Sequence, residues 1–468
     1  MVWRHRQTVG YRIFLVITIP ATYFFYISIM GLFSDSSSTI GYETNWQGRK
    51  LLQASELKQQ GNDSYNCTPP AIKEFPPDGF TREQRQAGFI IIHFVIAIYL
   101  FLLLAIVCDD YFVPSIKKIC ERLNVTEDVA GATVMAAASS SPELFINAIG
   151  TFVTEGDLGV GAIVGSAVFN ILAVPACCAL FANKVLNLEW WPVSRDTLAY
   201  AVTVLLLILT LRDERIEWYE ALILITCYIL YITDLVKETE ICGFSSSSEP
   251  DESLDIVNMM SWPNSTCQKM WWIITWPINL ILLITIPDCR RSKLRFLYPF
   301  TFLMCVIWIA TASYIIGWVI TVIGNTFRIP DSIMGLTFLA AGMSVPEAVS
   351  SVIVTNQGLG AMGISNSIGS NVFDILLCLG LPWFIKSTLL PKIPGQYYVQ
   401  INSQGLVYSS VSLFSTLIVL YGALLINRFK LNRTVGIICF VMYIVFLVFA
   451  SVIELNTFFI VNLPICIE

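Results

Sequence analysis

Twelve stretches of this chain are apolar for close to the length that crosses a bilayer as a helix, about 20 residues. They lie at 13–33, 88–107, 131–153, 158–182, 197–211, 219–235, 270–287, 296–320, 332–355, 363–385, 406–426 and 434–453. One water-soluble core cannot hide that many long apolar segments. Charged residues make up only 13% of the 468, about half of what keeps an ordinary globular surface in water. The expected fold is an all-α polytopic membrane protein, with most of its surface facing lipid.

Composition also removes several chemistries. Only two histidines are present, His5 and His93, too few for a multi-histidine zinc or iron site. His93 falls in an apolar run and reads as a packed polar side chain. The net charge is −6 and no long Lys/Arg block occurs, so no nucleic acid partner is expected. The 13 cysteines include no Cys-x-x-Cys pair, and most read as small hydrophobes. An intramembrane aspartyl protease would need a Gly-x-Gly-Asp element, which the sequence lacks; a serine protease would need a Ser/His pair. No enzyme and no resident cofactor are expected.

Charge placement orders the spans. Arg4, Arg6 and Arg12 precede the first run, so residues 1–33 read as a signal peptide or an N-terminal anchor. The polar segment 34–87 carries glycosylation sequons at Asn62 and Asn66, which puts it on the extracellular or lumenal side. Lys117, Lys118 and Arg122 place the 108–129 loop in the cytoplasm by the positive-inside rule. The acidic linker beginning at 236 and the cluster Arg290, Arg291, Lys293, Arg295 belong there too. The run 270–287 between them, which contains Pro277, is then expected to lie along or dip into the membrane. Arg428, Lys430 and Arg433 put the loop before the last span inside and the tail 454–468 outside. Cys67 and Cys466 fall on the same outer side, where a disulfide between them is permitted. The expected organisation is a five-span half at 88–235, a linker at 236–295 and a second five-span half at 296–453. Both a plasma membrane and a secretory or acidic organelle membrane suit such a chain.

The two halves share text. Residues 131–172 align with 335–376 at a constant offset of 204 without a gap, with about 17 identities in about 42 pairs. Ala-Ala-Ala-Ser-Ser-Ser-Pro-Glu at 136–143 answers Ala-Ala-Gly-Met-Ser-Val-Pro-Glu at 340–347. Gly-Ser-Ala-Val-Phe-Asn-Ile-Leu at 165–172 answers Gly-Ser-Asn-Val-Phe-Asp-Ile-Leu at 369–376. With an odd number of spans per half, the copies enter the membrane from opposite faces. Such 5+5 inverted repeats are a transporter architecture, with the binding site near the midplane.

The repeated polar residues identify the cargo class. Glu143, Glu347 and Asp374 lie inside apolar segments, where each ionised carboxylate costs about 2.5–3.5 kcal/mol on insertion scales. The four repeat helices contain no Lys or Arg to pair with them, so the compensating charge is expected to be a metal cation. Carboxylates, hydroxyls, amides and carbonyls are hard donors suited to Ca²⁺, Na⁺ and K⁺. Ser140 and Ser344 stand three residues before Glu143 and Glu347, on the same helix faces. Pro142 and Pro346 free carbonyls one turn earlier, near Ala136 and Ala340. Ser166 and Asn170, like Ser370 and Asp374, form a second polar stripe at a spacing of four. Gly161-x-x-x-Gly165 is a close-packing motif. Three carboxylates are balanced by one Ca²⁺ with one K⁺, or by several Na⁺; loads that compete for one site produce exchange by alternating access.

These residues resemble the two alpha repeats of the potassium-dependent sodium/calcium exchangers. The similarity extends to Ile-Pro-Asp-Cys-Arg at 286–290 and Ile-Met-Gly-Leu-Thr-Phe-Leu-Ala-Ala-Gly at 333–342. The resemblance implies a sodium/calcium exchanger-like fold that exchanges Na⁺ for Ca²⁺ with K⁺. It implies Glu143 and Glu347 as paired calcium and sodium ligands, supported by Ser140, Ser344, Ser166, Ser370, Asn170 and the carbonyls of Ala136 and Ala340. Asp374 stands where potassium-dependent members carry Asp and independent ones Asn, and is the implied potassium ligand. The sequence departs from the family at Met343, where a hydroxyl is usual, at Glu347, where Asp is commoner, and at Ala138, where Gly is usual. A Ca²⁺/H⁺ exchanger and a potassium-independent exchanger are the alternatives on this scaffold, and a cation channel stands behind them. The expected partners are the bilayer and the transported cations, with a homodimer left open.

Overall fold

The structure is a computed structural model, and it describes residues 71–122, 139–154, 156–181, 186–188, 190–242, 266–287, 289, 295–356, 360–390, 397–401 and 403–457. The N-terminal run, the sequons at Asn62 and Asn66, Cys67, Cys466, Ala136 and Ala138 lie outside these residues, as does linker 243–265.

Helices make up nearly all of it. In chain order they are α1 (Arg82–Cys120), α2 (Ser141–Phe152), α3 (Leu158–Phe181), α4 (Trp190–Leu211), α5 (Trp218–Cys242) and α6 (Thr266–Thr285). There follow α7 (Tyr298–Phe327), α8 (Asp331–Asn356), α9 (360–389), α10 (Gly405–Ile426) and α11 (Arg433–Glu454). Eight of them are long and apolar enough to cross a membrane, namely α1, α3, α4, α7, α8, α9, α10 and α11. The fold is therefore all-α and polytopic.

Burial sorts the helices into an inner and an outer group. In its most apolar window α3 is 89% buried and α9 72%, against 33% for α1 and 39% for α4 and α10. The inner helices pack mostly against protein; outer ones turn residues such as Leu198, Leu205, Leu209, Ile418 and Val441 outward, as lipid-facing helices do. Glycines let the inner helices meet. A Cβ at Gly161 would lie 2.6 Å from Ser332 O, and one at Gly165 would overlap Leu336 O, so α3 and α8 touch backbone to backbone. The packing role read from Gly161-x-x-x-Gly165 holds.

Two element ends differ from the sequence reading. The 108–129 segment is helical through Arg122, continued by a wider turn at Cys108–Phe112. That segment is amphipathic, burying Ile116 and Cys120 while exposing Lys117; its charges sit on one face and so do not stop the helix. Likewise α5 runs on to Cys242, into the acidic stretch. Helix α6 is continuous through Pro277, burying Ile278 and Leu282 and exposing Ile281 and Ile284.

Short strand pairs clip the helix ends together. β1 (Leu186–Asn187) joins β4 (Lys430–Leu431), and β2 (Arg215–Glu217) joins β3 (Tyr398–Gln400), both antiparallel. Each clip ties a loop of the first half to a loop of the second. Ahead of α1, the segment from Ala71 caps the end of α7: Trp318 Nε1 donates to Pro76 O at 3.0 Å. Helix α1 kinks near its start at Gly88, whose φ of 124° suits only glycine.

Candidate ion-binding site

The repeat residues converge where the inner helices α2, α3, α8 and α9 pack together. Glu143 stands in the first turn of α2, just after Pro142. Proline is tolerated at a helix start because its missing N–H would have no partner there. Ser140 precedes the helix, at φ −91° and ψ 11°, so it reaches the site from a turn and not from the helix face expected. The second copy differs: Pro346 lies inside a continuous helical stretch, Ala340–Asn356. There the missing N–H leaves Gly342 O without its usual donor. Helices α3 and α9 each widen into a looser turn at nearly equivalent places, five residues at Phe169–Ala173 and six at Asp374–Leu379. Such turns recur at functional sites because they redirect side chains and loosen carbonyls.

Ser140, Glu143, Ser166, Asn170, Ala340, Ser344, Ser370 and Asp374 are all buried. Glu347 is half-buried, so the cluster is accessible on its side. The two copies bond directly. Asn170 Nδ2 donates to Glu347 Oε2 at 2.6 Å and to Asn371 Oδ1 at 3.1 Å. Ser367 Oγ donates to Asn170 O at 3.0 Å. Asn147 Nδ2 donates to Cys378 O at 2.7 Å, and the Cys378 thiol lies 3.9 Å from Asp374 Oδ1. Ser166 and Ser370 make equivalent bonds, to Ile163 O and Ser367 O, each at 3.1 Å. Glu143 lies within electrostatic range of Glu347, and Asp374 within range of both.

What remains unmet is more informative than what is bonded. Ser140 Oγ, Glu143 Oε2, Asn147 Oδ1, Asn170 Oδ1, Ser344 Oγ, Glu347 Oε1 and Asp374 Oδ2 are buried without a hydrogen-bond partner. Each such atom costs about 1–3 kcal/mol, so seven cost on the order of 7–20. All seven are oxygens, the donor set of hard cations. Two buried carboxylates elsewhere are satisfied, and Asp78 Oδ2, which has no hydrogen bond, faces Arg85 and His93. Glu454 accepts from Ser332 Oγ at 2.7 Å and from Ser403 Oγ at 2.9 Å, and Asp196 pairs with Arg195 at 2.7 Å. His93 is buried with Nε2 3.2 Å from Asp78 Oδ2, the packed polar role expected of it. Among the described residues, no Lys or Arg pairs with Glu143, Glu347 or Asp374. Nor do three acids, histidines or cysteines close into one metal cluster. A cation here would draw its shell from amides, hydroxyls and carbonyls as well as from carboxylates.

Sequence reading missed Asn147, Ser367, Asn371 and Cys378. A signal existed for three of them. Asn147 lies four residues after Glu143, and Ser367, Ser370, Asn371 and Asp374 form one stripe at helical spacing. Nothing in the sequence marked Cys378. Met343 is buried and brings a thioether into the wall.

Comparison with known proteins places the chain in a family. The family model described as sodium/calcium exchanger protein matches residues 93–236 and 297–452. Sodium/potassium/calcium exchanger 4 of Homo sapiens is 36% identical, over 90% of this chain and 90% of its own. Sodium/potassium/calcium exchanger 3 of Homo sapiens is 33% identical, over 92% of each. Sodium/potassium/calcium exchanger 5 of Homo sapiens is 36% identical, over 83% of this chain and 88% of its own. Among solved structures, the sodium/calcium exchanger from Methanococcus jannaschii superposes with a TM-score of 0.46 at 20% identity, over 77% of this chain and 99% of that one. With the family model spanning both halves and relatives above 30% identity along most of its length, the chain belongs to the sodium/calcium exchanger family.

Proposed function

We propose that this protein is a secondary active antiporter that exchanges Na⁺ for Ca²⁺ together with K⁺, by alternating access at the carboxylate cluster. The observation that carries the reading is the set of seven unmet buried oxygens around Glu143, Glu347 and Asp374. The relatives named as sodium/potassium/calcium exchangers support the ion set. In this reading Glu143 and Glu347 take Ca²⁺ or Na⁺, with hydroxyls of Ser140, Ser344, Ser166 and Ser370, the amide of Asn170 and the carbonyls of Ala136 and Ala340. Asp374 takes K⁺. One Ca²⁺ with one K⁺ and several Na⁺ neutralise the same three charges, so the loads exclude each other. An uncompensated cluster is too costly to carry past the apolar walls, and a neutralised one is not. Coupling follows from that difference.

Two symmetric features support an inverted 5+5 organisation, with halves at 88–235 and 296–453. The strand clips are exchanged equivalents: the α3–α4 loop pairs with the α10–α11 loop, and the α4–α5 loop pairs with the α9–α10 loop. Ser166 and Ser370 make the same bond one repeat apart. Half-buried Glu347 lies within electrostatic range of exposed Asp109, at the end of α1 read as cytoplasmic. A homodimer is the assembly to look for, by crosslinking in the membrane.

The test is ⁴⁵Ca²⁺ uptake into vesicles with Na⁺, K⁺ and pH gradients imposed one at a time. Uptake should require internal Na⁺ and external K⁺, and should vanish when Glu143→Gln and Glu347→Gln are combined. Flux that follows the pH gradient and ignores Na⁺ would select the Ca²⁺/H⁺ alternative. Calcium movement that survives the double neutralisation would end the proposal.

A further inference from the structure

A buried hydroxyl outside both repeats belongs to the same region. Tyr200 lies on α4, is fully buried, and its Oη has no hydrogen-bond partner. Helix α4 packs along α9 and onto the wide turn that opens at Asp374. Tyr200 and Asp374 lie within electrostatic range of each other. Asp374 Oδ2 is itself unmet, and the polar side chains nearest the carboxylate are the Ser140 hydroxyl and the Cys378 thiol, the latter a long contact. A buried phenol ordinarily finds an acceptor, because an unmet buried donor is costly. Here an unmet donor and an unmet acceptor lie in one buried region. Tyr228 also comes within range of Asp374, but its hydroxyl is not among the buried unmet atoms.

A phenol is neutral and supplies one donor and spare lone pairs. It can fix a carboxylate without adding charge to the cluster. That matters for a large monovalent ion, whose selection depends on the number and arrangement of oxygen dipoles around it. We propose that Tyr200 is a positioning residue for potassium: as the ion loads, its hydroxyl donates to Asp374 and holds that carboxylate in the orientation that receives K⁺. The inference rests on the reading of Asp374 as the potassium ligand.

The test compares Tyr200→Phe, Asp374→Asn and the double variant in vesicles, with ⁴⁵Ca²⁺ uptake measured against external KCl at fixed Na⁺ gradient. Losing one hydrogen bond of ordinary net strength corresponds to about a two- to tenfold change. Tyr200→Phe should raise the K⁺ concentration for half-maximal uptake by about that factor. Maximal rate at saturating K⁺ and half-saturation by Na⁺ should stay as they are. In the Asp374→Asn background the Tyr200→Phe change should add nothing. Because Asp374→Asn can stop turnover outright, the KCl titration of the melting temperature of purified protein, against choline chloride, supplies a second readout. Tyr200→Phe should move its midpoint in the same direction. An unchanged K⁺ response by either readout, an equal further effect in the Asp374→Asn background, or failure of Tyr200→Phe to reach the membrane would overturn the role of Tyr200. If Asp374→Asn leaves K⁺ dependence unaltered, the potassium reading of Asp374 falls, and this inference with it.

Discussion

Replacing Gly165 by alanine tests whether backbone contact between α3 and α8 sets the site. A Cβ at Gly165 would overlap Leu336 O and lie 2.6 Å from the Cβ of Ala340. Both obstacles belong to α8 within a turn or two of the ligands, and neither is the free end of a flexible side chain. Ordinary contact needs 3.4–4 Å, so the helices must part by on the order of 1 Å. Overpacking of this kind costs about 1–3 kcal/mol, offset by about 0.5–1 from replacing a helical glycine. A net loss of up to about 2.5 kcal/mol is expected. Gly422 on α10 is the control, since a Cβ there meets nothing within 4 Å; its replacement by alanine should be neutral or stabilising by about 0.5–1 kcal/mol. Function should separate the two variants more sharply. A displacement of about 1 Å along the 2.6 Å bond from Asn170 to Glu347 would carry it beyond the range of a hydrogen bond. Melting of both proteins in detergent and Na⁺-driven ⁴⁵Ca²⁺ uptake per surface copy would decide it. If Gly165→Ala melts with Gly422→Ala and transports as well, close approach of α3 and α8 does not set the site.

Two further outcomes follow from individual side chains. Asn170→Ala removes a charge-assisted bond to Glu347 and a spare amide oxygen; at about 1.5–3 kcal/mol it should weaken half-saturation by Ca²⁺ roughly 10- to 150-fold, read from uptake against external Ca²⁺. Met343→Thr exchanges a buried thioether for a hard hydroxyl donor, and should lower the Na⁺ needed for half-maximal exchange; an unchanged Na⁺ titration would mean that the side chain does not face the ion.

Much of the site was legible because its signals are one-dimensional. The repeat offset of 204 and the absence of Lys or Arg from the repeat segments 131–172 and 335–376 are properties of the string. So is the helical stripe Ser367, Ser370, Asn371, Asp374, although only its alternate members were read. Helix ends were harder. Charges at Lys117, Lys118 and Arg122 read as a loop, yet they lie along one face of a helix that continues. Pro142 and Pro346 look alike in sequence, but one begins a helix and the other sits within one.

Sequence alone determined that this chain lies in lipid as helices, and that two related segments bring acids into it, because apolar length and self-similarity need no knowledge of neighbours. Tertiary structure decided which helices are central, that Asn170 bonds Glu347 across 177 positions, and which seven oxygens go unmet. It also placed Tyr200, a residue with no motif around it, within electrostatic range of Asp374. The physical reason is that lipid tails are as apolar as leucine. Hydrophobicity commits a helix to the membrane without choosing its neighbour, and that choice falls to shape: where a glycine lets two backbones touch, and which polar atoms that contact closes off from any partner.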